Sequence, residues 1–279
     1  MPDMKPDLII SSAQNPRIKE VVKLRKRGHR DTHSRIIIEG YREVRRAVEN
    51  KWPVSVLFYC REHFLGENED ELLAMCRTAD MELITCTPPV FEKIAYRDRP
   101  EGLLALGAPV AGTLADIHLP ANPLVVIAEA IEKPGNLGSL LRSADAAGVH
   151  AVIVCDPRTD INNPNVVRSS VGTLFTLPVV QVDAAEALAW CRAKNLAVLA
   201  ATPEGNLEYT DADMKQGVAI VVGTEKFGLS ERWMNGADLR VRIPMLGKID
   251  SLNVSCAATI LLFEAVRQRR AAVKSRQTP

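Results

Sequence analysis

The sequence predicts an α/β protein of two domains: a small N-terminal α/β domain over residues 1–110 and a larger C-terminal domain over residues 123–279, built on a parallel sheet. Three observations carry this. Short β-branched runs alternate with helix-period segments along nearly the whole chain, the pattern of layered α/β architectures. Strands in the second half are apolar throughout, as in Val218-Ala219-Ile220-Val221-Val222, which suits a parallel sheet covered on both faces. Between Ala108 and Pro123 the composition turns to Pro, Gly, Ala and Thr without sustained period, placing a linker at 111–122.

In chain order, Asn15 to Arg27 reads as a basic helix and Gly28 to Ser34 as a polar loop. Arg35 to Glu39 is a strand closed by Gly40, and Tyr41 to Asn50 a helix. Strands at 54–59, 81–85 and 102–106 alternate with helices at 69–78 and 88–95 to complete the first domain. The second domain continues with strands at 124–128, 151–155, 178–182, 197–201, 218–222 and 239–243. Its helices fall at 137–147, around 164–171, at 184–194, after Ser230, and finally from about 254 to Arg270. Ser251 and Asn253 stand where side-chain oxygens cap a helix start, and Leu252, Cys256, Ile260 and Phe263 recur at helical spacing as the face expected to be buried.

Composition narrows the function classes. With 47% hydrophobic and 25% charged residues the chain is globular; it has no bilayer-length apolar run, and its first residues lack a signal-peptide pattern, so a cytoplasmic location without membrane contact is expected. The six cysteines are scattered without a C-x-x-C pair, and no histidine is read at metal-ligand spacing, so neither a disulfide framework nor a metal is expected. The net charge of +1 hides an asymmetry. Residues 15–46 hold eleven Lys/Arg against four Asp/Glu, a net of +7, which leaves −6 on the rest. Such a face is the electrostatic footprint of a polyanion partner, or else a solvated helix surface.

Three loops follow strands at the edge where parallel sheets collect ligands. The first, Glu132-Lys133-Pro134-Gly135-Asn136-Leu137-Gly138, leads into the helix at 137–147 and carries Arg142 about two turns on, with Asn136 placed to cap it. The second, Gly223-Thr224-Glu225-Lys226-Phe227-Gly228, brackets an acidic residue with glycines; it matches neither the dinucleotide fingerprint nor a P-loop. The third runs from Ile243-Pro244-Met245 to Ser251-Leu252-Asn253-Val254-Ser255.

In this order the loops resemble the three signature motifs of the SpoU/TrmH family of RNA 2′-O-ribose methyltransferases (SPOUT superfamily): Asn136-x-Gly138-x-x-x-Arg142, Gly223-x-Glu225-x-x-Gly228, and Ile243-Pro244-Met245 through Ser255. The resemblance covers roughly 124–270. It extends more weakly to Ser12, Asn15-Pro16, Lys19 and Glu39-Gly40, which resemble the family's substrate-binding domain. It implies a catalytic domain with a deep trefoil knot, S-adenosyl-L-methionine as cofactor, and a homodimer. The implied reaction is methylation of a ribose 2′-hydroxyl in structured RNA, with rRNA ahead of tRNA. By the same resemblance Arg142 engages the hydroxyl and the flanking phosphate. A guanidinium holds its proton to above about pH 12, so phosphate clamping and oxyanion stabilisation suit it better than a base role. Asn136, Glu225, Ser251 and Asn253 are carried over as polar residues that order the site. Backbone at Thr202, Gly223, Ile243, Met245 and Leu252 is carried over as the cofactor cradle. RNA contacts are expected from Arg17, Lys19, Lys23, Arg25, Lys26, Arg27 and Arg42. A base methyltransferase of the same fold and a non-catalytic RNA-binding protein are the alternatives.

Overall fold

The computed structural model describes residues 7–224 and 227–277, the side chains of 274–277 excepted. The chain packs as two compact units: the part up to Pro109 together with Ile161–Thr176, and Val110–Asp160 together with the chain from Leu177 on. The second unit thus differs from the contiguous span 123–279 expected from composition.

In the first unit β1 (Leu8–Ile10) precedes α1 (Pro16–Lys23) and α2 (Arg27–His33); then come β2 (Ile36–Glu39), α3 (Tyr41–Glu49), β3 (Val54–Tyr59), α4 (Glu69–Thr78), β4 (Glu82–Cys86), α5 (Pro88–Ile94) and β5 (Leu103–Gly107). The sheet order is β1-β4-β3-β5-β2, with β4 parallel to β1 and β3 and β5 antiparallel to β3 and β2. Two expectations change. The polar stretch 28–34 is largely helix α2, because Arg30 turns inward and donates to Leu24 O and Arg25 O, both 2.9 Å away, closing the end of α1. The three-residue edge strand β1 is too short to have left a period in the sequence.

The later residues of this unit include α7, introduced below; here an Arg46 guanidinium donates to Val171 O, and the Trp52 and Phe175 rings lie 5.3 Å apart. Asn165 Nδ2 donates to Tyr96 Oη at 3.0 Å. Val166 and Val167 are buried in this unit.

Arg97 is the polar hub of this unit. Its guanidinium donates to Glu39 O at 2.9 Å and to Glu43 Oε1 at 2.6 Å, and it pairs with Glu101, while Glu39 accepts Tyr96 N–H at 2.7 Å and Arg97 N–H at 3.3 Å. The Glu39-Gly40 pair therefore has a folding role: at φ 112° Gly40 lies so close to Arg97 and Glu43 that a Cβ would clash with both. Burial pushes both Glu39 and Glu43 above the usual carboxylate range, against the pull of Arg97.

The second unit contains β6 (Leu124–Glu129), α6 (Pro134–Ala146), β7 (Ala151–Cys155), then, after α7 (Pro164–Ser169) in the first unit, β8 (Val179–Val182), α8 (Ala184–Ala193), β9 (Ala197–Ala201), β10 (Leu207–Glu208), β11 (Val218–Val222), α9 (Glu231–Gly236), β12 (Leu239–Arg242) and α10 (Val254–Gln277). Seven strands form an all-parallel sheet in the order β10-β12-β9-β11-β6-β7-β8. One face buries Ile127, Val198 and Val221 with Trp190 and Trp233 from α8 and α9. Against β11, α6 and α10 pack together. The Arg269 guanidinium locks α10 by donating to Asn122 O, Pro123 O, Met214 O and Gln216 O at 2.6–3.0 Å.

The buried face of α10 is not the one expected. Val254, Ala258, Leu261, Leu262 and Ala265 are buried, whereas Cys256 is exposed, Ile260 is only partly buried and Phe263 is 46% exposed. Two apolar stripes coexist on this helix, and packing against α6 and β11 selects one.

Arg97→Met leaves Glu39 and Glu43 buried without their cation and is expected to destabilise the protein by about 3–5 kcal/mol. Because burial already raises both carboxyls, and losing the guanidinium raises them further, the deficit should shrink as pH falls and these groups are protonated. Thermal unfolding of wild type and variant between neutral and mildly acidic pH checks both the size and the sign.

Candidate active site

Parallel pairing aligns the carboxyl ends of four strands. Val222 stands beside Ala128, Val221 beside Ala200, and Val241 beside Ala201, so the loops leaving β6, β9, β11 and β12 emerge together. A cavity of about 530 Å³ opens among three of them, and Thr202, Gly223, Ile243, Met245, Ser251 and Leu252 all line it. The five residues expected to cradle a cofactor are thus brought to one place. Glu204 and Asp250, which motif reading passed over, line it as well. They sit inside the same loops, but no spacing marked them as cavity residues.

Each loop is held by a definite contact. Thr202, 8% exposed at the end of β9, donates its N–H to Val241 O at 2.9 Å and so joins its loop to β12. At Gly223 a Cβ would come within 2.3 Å of Gly228 O, so only glycine allows the close approach there. Thr224 and Gly228 exchange N–H···O bonds of 3.1 and 3.0 Å across that neck, with Gly228 at φ 65°. Glu225 lies outside the described residues. The end of the loop is tied to β6, where the buried Glu129 carboxylate accepts Ser230 N–H at 2.8 Å and Ser230 Oγ–H at 2.6 Å.

The first loop differs from expectation in its helix start. Pro134 occupies the first turn of α6, where its fixed φ and missing N–H are harmless, and Lys133 is the N-cap residue, so Asn136 lies within the helix and is not its cap. Asn136 instead meets the third loop: Asn253 Nδ2 donates to Asn136 Oδ1 at 3.1 Å. The amide orientation is fixed by its other end, since Asn253 Oδ1 accepts Ser255 N–H at 3.0 Å and Ser255 Oγ–H at 2.6 Å, which is the cap expected of Asn253. Ser251 is exposed and meets Asp250 Oδ1 at 3.4 Å, leaving capping of α10 to Asn253. About two turns further along α6, Ser143 Oγ and Thr259 Oγ1 lie 2.7 Å apart; Thr259 donates to Ser255 O, which makes Ser143 the donor of that bond.

Arg142, next to Ser143 on α6, is exposed and has no hydrogen bond or ion pair among the described residues. It does not line the cavity; nor do Asn136 and Asn253. The arrangement is a cavity whose lining includes two acidic residues, and a guanidinium without a partner among the described residues on the helix that bonds to the cavity's third loop.

The seven basic residues expected to contact RNA are all exposed but not equally available. Arg17 pairs with Glu82 at 2.5 Å, Arg25 donates to Lys93 O and Ala95 O, and Arg27 faces Asp31 at 3.6 Å. Lys19, Lys23, Lys26 and Arg42 have no such partner among the described residues.

Comparison with known proteins agrees with the motifs. The family model described as "SpoU rRNA Methylase family" matches residues 123–263, and that of an "MRM3-like substrate binding domain" matches residues 15–105. A 23S rRNA (uridine(2479)-2′-O)-methyltransferase of Streptomyces viridochromogenes is 37% identical over 252 residues, 87% of each chain. A crystal structure of an RNA 2′-O ribose methyltransferase superposes with a TM-score of 0.83 at 40% identity, covering 94% of this chain and 100% of that one. The SpoU methyltransferase AviRb from Streptomyces viridochromogenes, solved in complex with AdoMet, gives a TM-score of 0.83 at 35% identity over 92% of this chain and 100% of its own.

Glu129→Ala removes the acceptor of both Ser230 donors, a loss of about 1–3 kcal/mol felt locally. Hydrogen exchange should speed at Leu229 and Ser230 while the amides of β6 keep their protection. Unchanged exchange at Ser230 would show that the carboxylate does not hold the loop.

Proposed function

This chain belongs to the SpoU rRNA Methylase family, and from that premise we propose that it transfers a methyl group from S-adenosyl-L-methionine to a ribose 2′-hydroxyl of ribosomal RNA. The single observation that carries the reading is the convergence of Thr202, Gly223, Ile243, Met245 and Leu252 on one cavity, beside a helix that presents Arg142. The target class is supported by the relative named for 23S rRNA.

The cavity residues fit this cofactor. A volume of about 530 Å³ falls in the range of small-molecule sites. Backbone at Gly223, Ile243 and Leu252 offers polar groups to an adenosine, and the Glu204 and Asp250 carboxylates suit a molecule bearing sulfonium and ammonium charges. S-adenosyl-L-methionine supplies an electrophilic methyl group on sulfur. In the transfer the bond from ribose oxygen to methyl forms, the sulfur–methyl bond breaks, and the hydroxyl proton is released. Arg142 clamps the flanking phosphate and offsets negative charge developing on the oxygen. Its lack of partners among the described residues suits such a role, since a guanidinium already paired would have to break that pair first. Asn136 and Asn253 hold the first and third loops in register, so that phosphate grip and cofactor cradle keep a fixed separation. Ser251 adds a hydroxyl to the cavity lining.

Two further parts belong to this reading. The N-terminal unit carries RNA affinity, chiefly through Lys19, Lys23, Lys26 and Arg42, with Arg17, Arg25 and Arg27 contributing once displaced from their present partners. The catalytic unit is a homodimer with a knotted chain. In support of pairing, α10 leaves Phe263 46% exposed beside Val266, Arg267, Arg270 and Ala271, which line a surface recess. In support of the knot, the chain leaves β11, passes to β12 on the far side of β9, and returns through the third loop so that α10 packs on α6 and β11.

Single-turnover methyl transfer and calorimetric binding of S-adenosylhomocysteine, run on the same preparations, test the core of the reading. Arg142→Ala should lose at least about 10²-fold in rate with cofactor affinity nearly intact, and Arg142→Lys should recover little because it lacks the planar fork. Asn253→Ala should reduce both quantities. Wild-type turnover in Arg142→Ala would refute the assignment, and a product whose adjacent phosphodiester is cleaved by alkali would move the methyl from ribose to base.

Replacing Lys19, Lys23 and Lys26 together with alanine should lower the slope of log K against log salt by about 2 units for RNA binding. An unchanged slope would make the basic run a solvated face. Light scattering at micromolar concentration should give a dimer that Phe263→Asp dissociates; a fully active monomeric wild type would exclude the pairing.

A further inference from the structure

Helix α2 brings together three side chains outside the site described above. His29 and His33 are four residues apart, hence neighbours on one helical face, and Glu20 reaches them from α1. Glu20 Oε1 lies 3.4 Å from His29 Nε2 and 3.6 Å from His33 Nε2, and all three atoms fall within 4.8 Å of one another. A tetrahedral zinc ion with bonds of 2.0–2.1 Å has ligand atoms about 3.3–3.4 Å apart. Two edges of the triangle are therefore close to the spacing that such an ion imposes.

The ring nitrogens are also prepared for it. His33 Nδ1 lies 3.0 Å from His29 O, which can only accept, so Nδ1 carries the proton and the Nε2 lone pair points to the cluster. His29 Nε2 is buried and, despite its approach to Glu20, makes no hydrogen bond. A buried nitrogen with no hydrogen bond costs free energy unless something accepts its lone pair or its proton. The corner itself needs no ion to form, because Arg30 already joins the end of α1 to α2 through Leu24 O and Arg25 O. The ligands are thus held in place by the fold.

We propose that Glu20, His29 and His33 form a binding site for a divalent metal of the zinc class, with the fourth position open to solvent, where the ion staples α1 to α2 within the basic face. Two imidazoles and one carboxylate favour zinc, cobalt or nickel over magnesium or calcium, which prefer oxygen. The surrounding Lys19, Lys23, Lys26 and Arg27 reinforce that choice, since a hard cation held mainly by charge would be repelled. No histidine at ligand spacing was expected from the sequence; helix α2 nevertheless presents His29 and His33 as an i, i+4 pair.

The test uses the full chain without a polyhistidine tag, stripped with a chelator and titrated with zinc chloride by calorimetry and with cobalt chloride by absorption. One zinc per chain should bind at micromolar metal, cobalt should give the intense visible bands of a tetrahedral site, and zinc should raise the unfolding midpoint. His29→Ala, His33→Ala and Glu20→Gln should each weaken binding by at least about tenfold. Cys256→Ala, which removes the exposed thiol on α10, should leave it unchanged. Should His29→Ala fail to fold, the more exposed His33 decides alone. No binding at micromolar zinc, binding undiminished in His33→Ala, loss in Cys256→Ala, or equal affinity for magnesium would each overturn the proposal.

Discussion

Everything at the candidate active site depends on the parallel register of β6, β11, β9 and β12. Val222 pairs with Ala128, Val221 with Ala200 and Val241 with Ala201, which sets Ala128, Val222, Ala201 and Val241 at one level, so Thr202, Gly223 and Ile243 follow their strands at nearly the same height. A slip of one residue in any of these strands would turn its buried side chains to the opposite face. Because both faces are covered by helices, such a slip would strand no polar surface but would misfit every layer of packing. The buried apolar strands therefore fix the position of loops whose own sequences are mostly Gly, Pro and polar residues.

Strand ends alone leave loops that can move, and three side-chain links restrain them. Glu129 holds the second loop through Ser230, Asn253 holds the third loop to Asn136, and Ser143 with Thr259 fastens α6 to α10 about two turns further along α6. Arg269 secures the far part of α10 to four carbonyls that flank β6 and β11. The polar residues of the signature-like loops thus have structural tasks of their own. Asn253 caps a helix with one end of its amide and bonds to Asn136 with the other. Among the residues singled out on the first loop, Arg142 stands apart in having no internal task.

The N-terminal unit divides its basic residues in a similar way. Arg30 and Arg97 are spent on buried carbonyls and carboxylates, and Arg17 and Arg25 on surface partners, whereas the lysines of α1 are left to solvent. A count of charges treats these alike. Geometry separates those that build the fold from those available to a polyanion. The resemblance at Asn15-Pro16 and Glu39-Gly40 has the same character: Asn15 Oδ1 accepts Arg17 N–H at 2.9 Å to cap α1, and Gly40 admits Arg97.

The sequence by itself determined the α/β class, the parallel sheet, most helices and strands, and the identity of the three loops, because hydrophobic period and turn residues are local properties. Through the family resemblance that the loops carry, it also named Thr202, Gly223, Ile243, Met245 and Leu252, which meet at the cavity. Tertiary structure decided what local pattern could not: which of two apolar stripes on α10 is buried, that 161–176 packs with the first unit, and that Arg30 draws the polar stretch after α1 into a helix. It also decided that Glu204 and Asp250 line the cavity and that Glu20 meets His29 and His33. Each of these depends on a partner distant in sequence or on the direction a side chain takes once packed, and neither is encoded in the spacing of neighbours along the chain.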